Sequence, residues 1–333
     1  MKIQGRVYRI AYLGIALLMV LLAGCSKGNT GAAGGTVSDN AGTPVSDKEI
    51  TLNITEETVD VEELHDEFKI LFLADSHISL CDDRDPGLSF RALERSVMYR
   101  TDDLEAWDRF DALMDEANKG DYDLILLGGD IIDSAMYASI DYLKDRLEKL
   151  DKPYVYLLGN HDFEYGDEYF SEKSYKEYLP RLKELRDGTP YQIREYENIT
   201  VFTVDDNNNQ IAKEALDAYK EEAAKGKPMV VALHVPLEPA TGSKQFLKRC
   251  EEVYGEYGVS QDGHSTLFIG ENGIRPNNIT KEFMESVLSE DSPVVLVLAG
   301  HIHFYYKEML NDRIVQIVTD PAFSGGAISV KLM

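Results

Sequence analysis

Positive charge is scarce in this 333-residue chain: 34 Lys and Arg stand against 59 Asp and Glu, a formal net charge of −25. Such a chain repels a nucleic-acid backbone instead of displacing its counterions, so no sequence-independent DNA or RNA binding is expected. Cysteine is nearly absent, with residues at 25, 81 and 250 only. Cys81 and Cys250 either pair in an oxidising compartment or stay free thiols, and their separation in sequence does not choose. Past the first few dozen positions there is no apolar run long enough to cross a bilayer. No internal repeat is visible. What remains, at 44% hydrophobic and 28% charged residues, is a globular body able to bury a core as one large domain or two ordinary ones.

The first residues carry Lys2, Arg6 and Arg9, followed by an apolar stretch from Ile10 to Ala23. These are the charged and hydrophobic regions of a signal peptide in order. The stretch ends in Leu22-Ala23-Gly24-Cys25, which resembles a bacterial lipobox whose cysteine is lipidated and becomes the mature N-terminus. Residues 1–24 are therefore read as a lipoprotein signal peptide and Cys25 as the lipidation site. The alternative is a short uncleaved membrane anchor; both put the body outside the cytoplasm. Residues 25–65 are read as the lipidated N-terminus, a flexible Gly/Ala/Ser/Thr/Asn-rich tether and a lead-in. Removing the signal peptide takes three positive charges and no negative ones, so the mature charge is 31 minus 59, or −28. The expected membrane contact is the lipid alone.

From Lys69 the chain repeats one plan: a short apolar run, an abrupt change to polar residues, then a helical stretch. The runs are Ile70 to Ala74, Leu124 to Leu127, Tyr154 to Leu158, Met229 to Leu233 and Val294 to Ala299. Each reads as a strand buried on both faces. Helical spacing is clear over residues 103–118 and 140–150 and weaker over 171–185, 211–224 and 281–288. Later strands are expected at 199–204, 314–318 and 327–332. The alternation predicts an α/β fold.

The five runs are followed by Asp75-Ser76-His77, Gly128-Gly129-Asp130-Ile131-Ile132-Asp133, Gly159-Asn160-His161-Asp162, His234, and Gly300-His301-Ile302-His303. Five of the seven histidines thus sit where open α/β sheets keep their sites, at the carboxyl ends of strands. Imidazoles, carboxylates and an amide without thiolates suit Mn, Fe, Zn or Co, not a structural zinc cage. The donors are too many for one ion and enough for two with open positions, the arrangement used for in-line displacement at phosphorus. Glycines before Asp130, Asn160 and His301 suit sharp turns.

Taken in order, these blocks resemble the calcineurin-like metallophosphoesterase superfamily from Asp75 to His303. The resemblance implies an α/β domain over 66–333, a two-sheet β-sandwich flanked by helices in four layers. It implies two divalent or trivalent metal ions, one held by Asp75, His77 and His303 and the other by Asn160, His234 and His301, with Asp130 bridging. A hydroxide shared by the ions would attack a phosphomonoester or phosphodiester, His161 would protonate the leaving group, and Asp133 would orient that imidazole. Protein phosphatases of the superfamily place a phosphate-gripping arginine after the second block, where this chain has Ser134. Purple acid phosphatases place a metal-binding tyrosine where it has Asp133. Lipid-anchored bacterial members are the better comparison. A non-catalytic, lipid-anchored binding protein keeping the fold is the rival reading; a metal-dependent amidohydrolase or peptidase is a second.

Three loop features remain open. Arg84, Arg91, Arg95, Tyr99 and Arg100 follow the first block, and one of these arginines either clamps phosphate or, like the others, pairs at the surface. Tyr165, Tyr169, Phe170, Tyr175 and Tyr178 form either a stacking wall for a substrate or the inward face of a helix. Residues 236–278 are expected to form a lid over the metals, with His264 a possible extra contact with substrate.

Overall fold

The computed structural model describes residues 50–165, 171–206, 209–240 and 242–333. The signal peptide, Cys25 and almost all of the tether lie outside the described residues, as do Tyr169 and Phe170. The folded body runs from Thr51 to Met333. Its strands are β1 (Asn53–Val59), β2 (Phe68–Leu73), β3 (Leu124–Gly128), β4 (Tyr154–Leu157), β5 (Tyr191–Glu195), β6 (Thr200–Val204), β7 (Met229–Ala232), β8 (Val294–Ala299), β9 (Tyr306–Met309), β10 (Val315–Val318) and β11 (Gly326–Leu332). The helices are α1 (Ser89–Tyr99), α2 (Ala106–Lys119), α3 (Tyr137–Glu148), α4 (Glu172–Tyr178), α5 (Lys213–Ala223), α6 (Lys244–Tyr254) and α7 (Asn278–Leu288).

Two mixed sheets result, one in the order β1-β11-β2-β3-β4 and one in the order β5-β6-β7-β8-β10-β9. The apolar runs form parallel ladders, β2 to β3 to β4 in the first sheet and β6 to β7 to β8 in the second. Alternation along each strand explains why the runs are apolar throughout. In β2, Ile70 and Phe72 point into a core between the sheets with Leu126, Leu157, Leu296 and Ile317. Leu71 and Leu73 point the other way, onto Phe110 and Leu113 of α2 and Leu143 of α3. The outer face of the second sheet is covered by α5 and α7 through Leu216, Tyr219, Phe283 and Val287. The result is a four-layer α/β architecture of helices, sheet, sheet and helices, as expected. Each fully buried Leu, Ile or Phe in the middle layer contributes about 1.5–3 kcal/mol.

The differences from the sequence reading are elements whose apolar pattern is weak. β1, β5 and β9 are edge strands rich in polar residues, and β1 pairs in parallel with β11 within the stretch read as a lead-in. An edge strand needs only one buried face, so Asn53–Val59 carries no apolar run to detect. The helix α1 was read as loop because its large apolar residues Phe90, Leu93 and Val97 face solvent, while Ala92, Arg95, Ser96 and Tyr99 form its buried face. Cys81 and Cys250 are free thiols, the first half-buried and the second buried.

Candidate metal centre

The loops after β2, β3 and β8 turn sharply. Asp75, His77, Asp130, His301 and His303 have φ of 59°, 49°, 52°, 71° and 50°, the left-handed region that side chains with a Cβ rarely enter. Such residues cost on the order of 1–3 kcal/mol each and persist only where the surroundings over-determine them. Here Asp162 does much of the holding. Its buried carboxylate accepts hydrogen bonds from the amides of Asp130 (2.8 Å), Ile131 (3.0 Å), Ile132 (3.0 Å) and Gly159 (2.7 Å) and from the Tyr156 hydroxyl (2.6 Å). It thereby ties the loop after β3 to the loop after β4. The glycine at 159 is required by contact: a Cβ there would lie 2.3 Å from Asp130 Oδ1.

The loops bring three sets of donors together. Asp75, His77 and His303 form one group, Asp130, His234 and His301 another, and His77 is shared with a third made with Asp133 and His161, each with donor atoms within 4.8 Å of one another. The groups adjoin. His77 Nε2 is 3.1 Å from His303 Nε2 and 3.9 Å from an oxygen of both Asp75 and Asp130. His234 Nε2 is 3.0 Å from Asp130 Oδ2 and 3.9 Å from Asp75 Oδ1. Asn160 is buried beside them in the loop after β4. Six of the seven residues expected to hold metal are therefore in these groups, and Asn160 precedes His161, whose amide donates to Asp130 Oδ1.

Three observations show that the donors suit a cation. The Oδ1 of Asn160 is buried without a hydrogen-bond partner, a costly state for a polar atom unless something else satisfies it. His234 Nδ1 donates to the Gly128 carbonyl at 2.9 Å, which leaves Nε2 turned toward Asp130. Burial by itself depresses the pKa of His234, yet the Asp130 carboxylate overrides it and lifts it to about 10. By contrast, burial and the neighbouring His234 depress His301 to about 4. The carboxylates draw in positive charge, and bound metal would supply it.

His161 stands at the rim with its Nδ1 among charged groups: Asp133 Oδ1 at 3.2 Å, Glu164 Oε2 at 3.1 Å and Arg95 Nη2 at 3.1 Å. Burial works against the imidazolium, but Asp130 and Asp133 raise the His161 pKa well above its ordinary value. Burial likewise disfavours a charged Asp133, and His161 and Arg95 more than offset this, holding its carboxyl well below the usual range. Glu164 escaped the sequence reading, although its position three residues after His161 in a short 3-10 turn is the signal that could have found it.

The open loop features resolve separately. Arg84 pairs with Asp82 and Asp141, Arg91 with Glu94 and Arg100 with Glu105, so only Arg95 of the four reaches the centre. Among the described residues of the aromatic stretch, the contacts are packing: Phe163 meets Tyr175 edge-on, and Tyr165 stacks on Tyr178 while donating to Asp85. Within residues 236–278, Phe246, Cys250 and Phe268 pack with Ile302, the residue between two donor histidines, and the Tyr254 hydroxyl donates to the Ile302 carbonyl at 2.7 Å. This segment buttresses the loop after β8. The His264 carbonyl accepts from the Ser260 amide in a turn, and the residue belongs to none of the donor groups among the described residues.

No curated protein matches the sequence. Among solved structures the chain is similar to a dimetal phosphatase from Danio rerio, at 11% identity over 77% of this chain and 88% of that one, TM-score 0.45. It is also similar to a purple acid phosphatase from yellow lupin seeds (Lupinus luteus), at 11% identity over 81% of this chain and 46% of the other, TM-score 0.49. A third, a 5'-nucleotidase from Candida albicans, matches at 11% identity over 83% of this chain and 47% of that one, TM-score 0.39. The chain thus spans about half the length of the lupin and Candida proteins. The family model for calcineurin-like phosphoesterases matches residues 68–305, most of the folded body and all five loops of the centre, and the chain belongs to that family.

Proposed function

We propose that this chain is a two-metal hydrolase of phosphomonoesters or phosphodiesters, secured outside the cytoplasm of a bacterium by a lipid on Cys25. The observation that carries the chemistry is the pair of adjoining donor groups, with Asp130 in one and 3.9 Å from His77 of the other. Asp75, His77 and His303 would hold one ion, Asn160, His234 and His301 the second, and Asp130 both. Bound there, two divalent ions such as Mn, Fe, Zn or Co supply Lewis-acid polarisation of phosphoryl oxygens and a water made acidic enough to attack at neutral pH.

The chain's own part is to shape and charge the site. Four buried carboxylates, Asp75, Asp130, Asp133 and Glu164, concentrate negative charge where cations are needed. His161, with Nδ1 held by Asp133 and Glu164, is left with Nε2 to pass a proton to the departing oxygen, the task of a general acid. The lipid anchor is supported by the sequence from Lys2 to Cys25 alone.

The deciding experiment is turnover of a panel of phosphomonoesters, nucleotides, cyclic nucleotides and phosphodiesters by protein loaded in turn with Mn, Fe, Co, Zn and Mg, with metal content measured. Two ions per chain and hydrolysis of one substrate class are expected. Two tightly held ions with no turnover on any member would leave the binding-protein reading instead. Cys25→Ser should release the protein from the membrane fraction or stall it as precursor; unchanged fractionation with normal cleavage would refute the anchor.

A further inference from the structure

We propose that Arg95 is a positioning residue for His161, and that turnover of substrates with poor leaving groups depends on it; the inference rests on the phosphoester hydrolysis proposed above. Helix α1 delivers the guanidinium. Arg95 and Tyr99, one turn apart, face the metal centre, and Arg95 is only 9% exposed. Its Nε donates to Asp133 Oδ2, and its Nη2 donates to the Tyr99 hydroxyl at 2.9 Å while lying 3.1 Å from His161 Nδ1. Tyr99 in turn stacks on the His77 ring, with centroids 3.9 Å apart and planes 11° from parallel.

The geometry sets up a competition for one carboxylate. Asp133 Oδ1 lies 3.2 Å from His161 Nδ1, whereas Oδ2 lies 3.8 Å from His77 Nδ1, a buried atom with no hydrogen-bond partner. Arg95 Nε occupies Oδ2 and so keeps Oδ1 on His161. Without the guanidinium, Asp133 is free to turn toward the unpartnered His77, and His161 loses one of the two carboxylates that hold its Nδ1. Charge argues the same way: Asp133 and Glu164 both adjoin that nitrogen, and two buried carboxylates beside one imidazole are costly unless a cation balances one of them. A planar guanidinium can serve Asp133 and Tyr99 from two nitrogens at a fixed angle, which an ammonium cannot. Direct capture of phosphate fits less well, because Arg95 Nη1 also lies 3.6 Å from Met98 Sδ and each nitrogen already faces a protein group.

The test uses the full chain loaded with zinc. Arg95→Ala, Arg95→Gln and Arg95→Lys are compared with wild type on glycerol phosphate, whose alkoxide leaves poorly, and on 4-nitrophenyl phosphate, whose phenolate leaves readily. Arg95→Ala should lower kcat on glycerol phosphate by about tenfold to a hundredfold, with KM and the nitrophenyl rate each within about threefold. Metal content should be unchanged. Added guanidinium ion should restore part of the loss in Arg95→Ala, and Arg95→Lys should stay impaired. If Arg95→Ala does not fold, Arg95→Gln, which keeps much of the volume and a donor, carries the same expectation. Equal losses on both substrates, a raised KM with unchanged kcat, or loss of zinc would each overturn the positioning role.

Should wild type hydrolyse neither substrate, the proposed activity fails on these esters. Nitrogen-15 NMR of the histidine rings still decides the inference. The His161 Nδ1 signal should be that of an N–H hydrogen-bonded to carboxylate in wild type and should shift in Arg95→Ala or Arg95→Gln; an unchanged Nδ1 signal would overturn it.

Discussion

Loops of the five-stranded sheet bring Asp75, His77, Asp130, Asp133, Asn160 and His161 to the centre, whereas among the described residues those of the six-stranded sheet bring His234, His301 and His303. One side supplies every carboxylate of the donor groups; the other supplies imidazoles alone. The carboxylate side is braced within itself, by Asp162 across two loops and by the His161 amide donating to Asp130 Oδ1 at 2.7 Å. The imidazole side leans on its partner: His234 donates to Gly128, and the His301 amide donates to Asp75 at 2.9 Å. The groups Asp75-His77-His303 and Asp130-His234-His301 each contain residues from both sheets, so they form only once the sheets are docked, whereas His77, Asp133 and His161 all come from the five-stranded sheet.

The largest effect should come from removing the charge that both groups approach. Asp130→Asn should lose both ions and lower activity by at least about a thousandfold, since a neutral amide cannot serve two cations. His234→Ala, from the other sheet, should lose one ion and retain the other. Metal analysis of the two purified variants separates these outcomes, and equal losses would mean that the sheets contribute alike.

Next in size is the proton donor. His161→Ala should slow hydrolysis of alkyl phosphates by on the order of a hundredfold while largely sparing nitrophenyl phosphate, with both ions retained. Loss of an ion in that variant would move His161 into the set of ligands.

The role of docking can be sharpened with two core leucines. Leu296 lies between the sheets and Leu113 between a sheet and α2, both fully buried. Truncation of either to Ala should cost about 2–5 kcal/mol in chemical denaturation. Only Leu296→Ala should also weaken metal binding, read by competition with a chelating dye. Equal weakening by Leu113→Ala would show that the centre senses global stability and not the seam between sheets.

The smallest effect is a pH dependence at the edge of the second sheet. Burial pushes the Glu308 carboxyl up to about 7, against a hydrogen bond from Gln316. From its ordinary value of 4.5 up to about 7, the unfolded chain has released this proton and the folded chain has kept it, so its contribution to stability falls as pH rises through that window. After allowance for partial exposure the fall is on the order of 1–2 kcal/mol. Glu308→Gln should flatten it, as measured by denaturation at pH 5 and pH 7.5. An unchanged slope would assign it to other groups.

Much of this was legible in the residues because it is local. A parallel strand buried on both faces must be apolar at every position, so β2, β3, β4, β7 and β8 announce themselves, and the polar residues that break each run lie at its carboxyl end. The order of the blocks carried the family resemblance, and the resemblance in turn implied the two-sheet, four-layer fold that the structure has, along with the expected donors. Polar edge strands gave no such signal, because one buried face and short length leave little pattern. Nor did α1, whose strongest apolar residues are those it exposes.

Which donor faces which was decided by tertiary structure. His303 meets His77 across 226 positions of sequence, and Arg95 reaches Asp133 across 38, distances over which no periodicity carries information. The left-handed turns at Asp75, Asp130 and His301 are unfavourable locally and hold only against the packed sheets and the buried Asp162. Strand identity follows from short-range burial that the sequence states outright; the arrangement of the centre follows from two sheets closing over one core, and only that closure supplies the energy to keep unpaired donors and strained turns together.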